Sequence, residues 1–188
     1  MVEGIILAGG KSTRMKQNKM LLDFDGHPLI FYTIQSLLPY VDRLIIVTGK
    51  YDQEIRDAIK ENDKIKIIKN EQYEKGMFSS VLTGVKETSS DFLLIPGDCP
   101  FVSGATIEKI LSGCGLIRVP RYQNKDGHPI FISHIYKEKI LSMSLDNNLK
   151  VFREQEKYEI INVEDPNIVI NLNTISDFIN LKTERKIV

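Results

Sequence analysis

Uninterrupted apolar runs alternate with mixed apolar and polar stretches along this chain, and the alternation predicts strands and helices in turn. Val2–Leu7 is β-branched and aliphatic with no polar alternation, as expected of a strand buried on both faces of a parallel sheet. Further strands are expected at Arg43–Thr48, Ile65–Lys69, 92–95, 116–119, 129–132, 160–163 and 168–170. Helices are expected at 29–38, entered through Pro28, and at 51–61, mostly polar on one side. Others are expected at 78–87, 105–111, 134–143, Leu149–Gln155 and 175–182. Strands alternating with helices imply an α/β fold: a single domain over residues 1–188, built as a three-layer α/β/α sandwich around a mostly parallel sheet. Ligands of such sheets sit at the carboxyl ends of the strands. The loops beginning near Ala8, Gly49, Asn70, Pro96 and Pro120 therefore share one rim.

Composition narrows the field. A chain of 188 residues is long enough for one domain with a substantial core. Lys+Arg and Asp+Glu both total 25, so no net field directs the chain to nucleic acid or to an anionic membrane. Any phosphate-binding charge must be local. Cys99 and Cys114 lack metal-ligand spacing and do not form a disulfide framework, which favours a reducing cytosol. The first strand starts at residue 2, leaving no room for a signal peptide. No apolar run reaches the roughly 20 residues of a membrane helix. A cytoplasmic protein with neither nucleic acid nor membrane as partner is expected.

Local charge is concentrated directly after the first strand. Gly9 and Gly10 let the backbone turn sharply and approach a ligand, and Lys11, Arg14, Lys16 and Lys19 follow within a few residues. Amides exposed in such a turn favour anions. The combination reads as a nucleoside triphosphate site. A Walker A loop requires G-x-x-x-x-G-K-[ST]; Gly10-Lys11-Ser12 supplies its second half, but the first glycine would fall at Ile5, inside the strand. The dinucleotide pattern G-x-G-x-x-G is absent.

Leu7, Ala8, Gly9, Gly10, Ser12, Arg14, Met15 and Lys19 instead resemble the signature L-A-[AG]-G-x-S-x-R-[MF]-G, followed by a lysine, of the nucleotidyltransferases that handle molybdenum cofactor. Lys16 replaces the final glycine. The resemblance implies a Rossmann-like nucleotidyltransferase fold. It extends along the chain. Gly97-Asp98-Cys99-Pro100-Phe101 is similar to the family's G-D-x-P-F element, whose aspartate binds Mg²⁺. Asp98 also stands at the rim after a buried strand, where a hard cation can take one carboxylate plus phosphate oxygens. The alternative role for Asp98 is to cap a turn or the helix near Ala105. Asn70 to Ser80 resembles N-x-x-[WY]-x-x-G-M-x-S-S, which lines the nucleotide pocket of the cytidylyltransferase branch. Ser79 and Ser80 could equally be ordinary N-cap serines. Gly127-His128-Pro129 resembles an element on the acceptor side of the same branch, although a lone histidine is more often structural. His27, in Asp25-Gly26-His27-Pro28, is read as structural.

Two positions resemble the guanylyltransferase branch instead. Asn171-x-Asn173-Thr174 stands where cytidylyltransferases carry D-x-D-T-P, and Gly9 stands where they more often have alanine. The amide at 171 removes a charge from the metal site, and Thr174 is expected to cap the last helix. The resemblance implies Mg²⁺-dependent transfer of CMP from CTP to the terminal phosphate of molybdopterin, with loss of pyrophosphate. Arg14, Lys19 and Asp98 would be catalytic, and Asp98 the metal ligand. Leu7, Ala8, Gly9, Gly10, Asn70, Gly76, Ser79, Ser80, His128 and Asn171 would bind the substrates. A molybdenum hydroxylase or its maturation factor would be the partner protein. GTP as donor, a sugar or alditol phosphate as acceptor, and a non-catalytic cofactor-binding accessory protein stay open.

Overall fold

In the computed structural model, which describes residues 1–10, 17–60, 62–172 and 174–186, the chain runs through β1 (Val2–Leu7), a small hairpin of β2 (Asp23–Phe24) and β3 (His27–Pro28), and α1 (Leu29–Leu37). It continues through β4 (Arg43–Thr48), α2 (Asp52–Ala58), β5 (Ile65–Lys69), α3 (Met77–Glu87), β6 (Asp91–Pro96) and α4 (Gly104–Leu111). The second half holds β7 (Ile117–Tyr122), β8 (Lys125–Asp126), β9 (Ile130–Ile132), α5 (Lys137–Leu141), α6 (Leu149–Gln155), β10 (Glu159–Asn162) and α7 (Ile175–Lys186). The main sheet has the order β10-β7-β9-β6-β1-β4-β5, with β8 attached to β7. Strands β5, β4, β1 and β6 are mutually parallel, and β10 is parallel to β7. Strand β9 is antiparallel to both β6 and β7. The α/β fold with a mostly parallel sheet is as expected.

Side chains alternate across the sheet with the period of two that strands impose. Ile6, Leu44, Ile46, Leu93 and Ile95 face one side and pack with Ile30, Ile34 and Leu37 of α1, Ile55 of α2 and Ile107 and Ile110 of α4. Ile5, Leu7, Ile45, Val47, Phe92 and Leu94 face the other and pack with Phe78, Val81 and Val85 of α3, Ile140 of α5 and Phe152 of α6. Every strand in this central part is therefore apolar on both faces, which explains the unbroken aliphatic runs.

Two expected elements are corrected. Residues 168–170 are not a strand: Pro166–Val169 forms a 3₁₀ turn. Ile168 is fully buried, and its carbonyl accepts the His128 N–H at 2.9 Å, so its apolar character serves packing rather than sheet pairing. The stretch 134–143 is not one helix. A 3₁₀ turn at His134–Tyr136 precedes the short α5, because the Asp91 carboxylate accepts the Ser133 hydroxyl and the His134 N–H and fixes the chain direction there. Thr174 caps α7 as expected: its hydroxyl accepts the Asp177 N–H at 3.1 Å, and the Asp177 carboxylate accepts the Thr174 N–H in return. Among the described residues, no helix is long and apolar enough to cross a membrane.

Candidate functional site

Three parallel strands end at one level. Leu7 on β1 stands opposite Val47 on β4 and Pro96 on β6. The Ala8 N–H donates to the Val47 carbonyl at 2.8 Å, and the Gly97 N–H donates to the Leu7 carbonyl at 2.9 Å. The loops after β1 and β6 thus leave the sheet side by side. From β1 the chain order spreads to β4 and β5 on one side and to β6 on the other. The gap between β1 and β6 is the switch point at which such sheets bind ligands. A cleft of about 370 Å³ opens there, lined by Gly9, Gly10, Lys19, Met20, Tyr73, Glu74, Gly76, Ser80 and Asp98. A second cavity of about 310 Å³ adjoins it, and Leu7, Met77 and Pro96 line both.

Asp98 is buried and forms an ion pair with the Lys19 ammonium. Lys19 lies in a single 3₁₀ turn, Lys19–Leu21, whose first N–H groups are capped by Asn18: its side-chain oxygen accepts the Met20 N–H at 3.1 Å. Met20, 3% exposed, anchors that turn in the core. The two charges compensate each other, so neither is left isolated in a low-dielectric environment. Mg²⁺ is a hard cation that takes one or two carboxylates and completes its shell with phosphate oxygens and water. Asp98 offers one such carboxylate. Among the described residues no group of three or more His, Cys, Asp or Glu could hold a metal. The donor set therefore fits a cation that arrives with a phosphate substrate rather than one held by protein alone.

The glycines have a steric reason. A Cβ on Gly49 would lie 2.5 Å from the Gly9 carbonyl oxygen, and a Cβ on Gly9 would lie 2.6 Å from the Ser80 hydroxyl. The loops after β1 and β4 cross backbone to backbone, and α3 presses against the same spot. Gly76, at φ 99°, supplies the left-handed turn that starts α3. Behind it, the Asn70 amide donates to the Ser79 and Ser80 hydroxyls at 2.7 and 3.0 Å, and its oxygen accepts the Gln72 N–H at 2.9 Å. The Ser79 hydroxyl also lies 2.7 Å from the Gly76 carbonyl.

Of the residues singled out in the sequence, Leu7, Gly9, Gly10, Lys19, Gly76, Ser80 and Asp98 line the first cleft. Leu7 and His128 line the second cavity. Ala8, Asn70 and Ser79 are buried behind the surface, where they brace the loops. Asn171 is exposed next to Asp98: the Leu172 N–H donates to the Asp98 carbonyl at 3.4 Å, and the Cys99 thiol donates to the Asn171 side-chain oxygen at 3.2 Å. Burial, reinforced by the Asp98 carboxylate, pushes the Cys99 thiol up, so it stays protonated and able to donate. Arg14, with Lys11, Ser12, Met15 and Lys16, lies outside the described residues, as does Asn173.

The second cavity contains residues the sequence did not single out. Its walls are apolar, with Phe78, Val81, Leu94 and Ile130, and Lys150 and Arg153 of α6 stand at one end. The Arg153 guanidinium pairs with Asp126 at 3.1 Å and lies 5.1 Å from the centre of the Tyr158 ring. Arg121 pairs with the same carboxylate at 2.7 Å. Two guanidiniums sharing one carboxylate leave this end positive. Burial pushes the His128 imidazole down to about 4, against the opposing pull of the Leu94 carbonyl and the Asp98 carboxylate, so it is neutral near pH 7. Nothing in the polar stretch around Arg153 announces this role; only the fold brings α6 to the loop at Asp126. The turn at Gln123-Asn124, both at positive φ, was the available signal for the hairpin that sets Arg121 opposite Asp126.

The family model described as "MobA-like NTP transferase domain" matches residues 4–160. The molybdenum cofactor cytidylyltransferase of Escherichia coli (strain K12) is 28% identical over 184 residues, covering 96% of this chain and 95% of that protein. A probable molybdenum cofactor guanylyltransferase of Natranaerobius thermophilus is 27% identical over 195 residues, covering 97% and 91%. Among solved structures, Rv0371c of Mycobacterium tuberculosis H37Rv aligns over 97% of both chains with a TM-score of 0.83 at 22% identity, a likeness of fold. The same protein in complex with manganese aligns with a TM-score of 0.79 at 20% identity, over 97% of both chains.

Proposed function

The chain belongs to the family of MobA-like NTP transferase domains, and from that premise we propose that it transfers CMP from CTP to the terminal phosphate of molybdopterin. The observation that carries this reading is the pairing of buried Asp98 with half-buried Lys19 at the switch point between β1 and β6, in the first of two adjoining cavities. An acceptor phosphate oxygen attacks the α-phosphorus of the triphosphate in line. The new P–O bond forms as the bond bridging the α- and β-phosphates breaks, and pyrophosphate leaves with the bonding electrons. Such a reaction asks the protein for positioning and charge neutralisation rather than a nucleophile.

The side chains divide this work. Asp98, with triphosphate oxygens, would hold Mg²⁺, which supplies charge neutralisation on the phosphates. Lys19, within reach of the same groups, donates to phosphate oxygens and offsets the charge that develops on the leaving pyrophosphate. Gly9 and Gly10 let the triphosphate approach the backbone, and the Ser80 hydroxyl offers a hydrogen bond to the nucleotide. The second cavity suits an acceptor with an apolar body and an anionic group directed at Arg153. His128, uncharged, adds a hydrogen-bonding group without adding charge. On this reading residues 1–188 act as one nucleotidyltransferase domain.

CTP is favoured by the Asn70–Ser80 segment and by Gly127-His128-Pro129, both similar to the cytidylyltransferase branch; the full-length similarities to a cytidylyltransferase and to a guanylyltransferase are alike and favour neither donor. GTP has one structural point in its favour. Gly9, the residue shared with the guanylyltransferase branch, has no room for a side chain against Ser80. Thermal unfolding with CTP, GTP, ATP and UTP, each with and without Mg²⁺, separates them. A ligand at 100 times its dissociation constant adds about 2.7 kcal/mol, or several degrees for a chain of this size. A Mg²⁺-dependent shift with CTP alone is expected. A shift with GTP alone reassigns the donor, and no shift with any triphosphate contradicts the reading.

A further inference from the structure

Met77 opens α3 directly after Gly76 and is 67% exposed, although it is a large apolar residue at the centre of the site. Leu7, Met77 and Pro96 are the residues that line both cavities. Leu7 and Pro96 are buried and held in paired strands, so Met77 is the one of the three with freedom to rearrange. A methionine side chain has three rotatable bonds and a polarizable thioether, which moulds to irregular apolar surfaces. Its exposure is a standing cost that a ligand on either side would remove.

We propose that Met77 is the common wall of the two substrates, packing on the nucleotide in the first cleft and on the acceptor body in the second, and thereby couples their binding. This rests on the transferase reading above. Methionine is among the side chains that lose most rotamer freedom when ordered. The first substrate orders it, and the second finds it already ordered. The coupling should reach about tenfold, within the range typical of linked sites. Glu74 and Tyr73 line the first cleft only, and Phe78 the second only, so none of these three neighbours can replace Met77 in this role.

The test uses the whole protein labelled with ¹³C at its methionine methyl groups, of which there are five. Met77→Leu assigns the Met77 signal. Mg²⁺–CTP and, separately and without oxygen, molybdopterin should each shift that signal, and molybdopterin together with a CTP analogue carrying an uncleavable methylene bridge between its α- and β-phosphates should shift it further. Met1, at the opposite end of β1 from the cleft, should not respond to either. In the wild type the molybdopterin dissociation constant should fall about tenfold when a CTP analogue with an uncleavable methylene bridge between its α- and β-phosphates is present; Met77→Leu should keep most of that linkage and Met77→Ala should reduce it to less than about twofold. A Met77 signal that responds to the triphosphate and ignores molybdopterin overturns the inference, as does undiminished linkage in Met77→Ala. Pyrophosphate release by the wild type with an unresponsive Met77 overturns the inference and leaves the transferase reading standing. A response to both ligands without pyrophosphate release upholds the inference and removes that reading.

Discussion

On the proposed reading, the ion-paired Lys19 and Asp98 carry the chemistry of transfer between them. Removing a preorganised donor of this kind typically costs about 10²- to 10³-fold in rate. Lys19→Ala should lose at least that much turnover in a pyrophosphate-release assay while its unfolding remains cooperative; near wild-type turnover would remove Lys19 from the mechanism. Asp98→Asn should lose the Mg²⁺-dependent activity, and an unchanged metal titration of activity would remove Asp98 as a ligand. Asn171→Asp makes the opposite change. It adds a carboxylate beside Asp98, so half-maximal activity should need less Mg²⁺ than in the wild type. At this scale the motifs were informative: Gly9, Gly10, Lys19, Ser80 and Asp98 were singled out by motifs that resemble the family's, and they do meet in one cleft. Arg153 was not readable, because its partners Asp126 and Tyr158 come from other elements and no local pattern joins them.

Elements set the spacing between these residues. The loop after β1 fits under α3 only because Gly9 leaves space for the Ser80 hydroxyl. Gly9→Ala should push that hydroxyl off the Asn70 amide and weaken triphosphate binding, measured by calorimetry. Ser80→Ala in the same chain should recover part of the loss, because the pair in contact is non-additive; simple additivity would mean that the two do not touch. Arg153→Gln on α6 should raise KM for the acceptor while leaving KM for the triphosphate unchanged, since Arg153 lines only the second cavity. Equal changes in both constants would argue against separate subsites. The long, doubly buried strands were legible from their apolar runs. The misjudged pieces were short. Pro166–Val169 is as apolar as a strand yet forms a turn, and burial alone does not distinguish the two.

The whole molecule carries its chemistry without any excess of charge: 25 basic and 25 acidic residues balance, and the site's field comes from local groups. Its acid response should have two stages. His128 has an ordinary value of 6.5 and is held near 4 in the folded chain. Between these values the unfolded chain binds a proton that the folded chain refuses, so stability is complete above about pH 6.5 and falls as pH drops toward 4. His128→Gln should flatten that part of the curve of Tm against pH; an unchanged curve would contradict the burial of the imidazole. Asp165 acts at lower pH. Burial alone would raise it, but hydrogen bonds from Ser103, Asn167 and Thr106 outweigh that and hold it below the usual range, so its contribution is lost only on further acidification. The parallel centre of the sheet was legible because βαβ repeats leave a clear pattern. The antiparallel β9 was not, because Ile130–Ile132 is equally apolar whichever way it runs. The most direct test of the central claim is pyrophosphate release by the intact protein with molybdopterin, Mg²⁺ and each triphosphate in turn. The account predicts release with CTP, matched mole for mole by acceptor consumed and lost when Mg²⁺ is chelated. No release with any triphosphate, from protein that is folded and binds CTP, would contradict it.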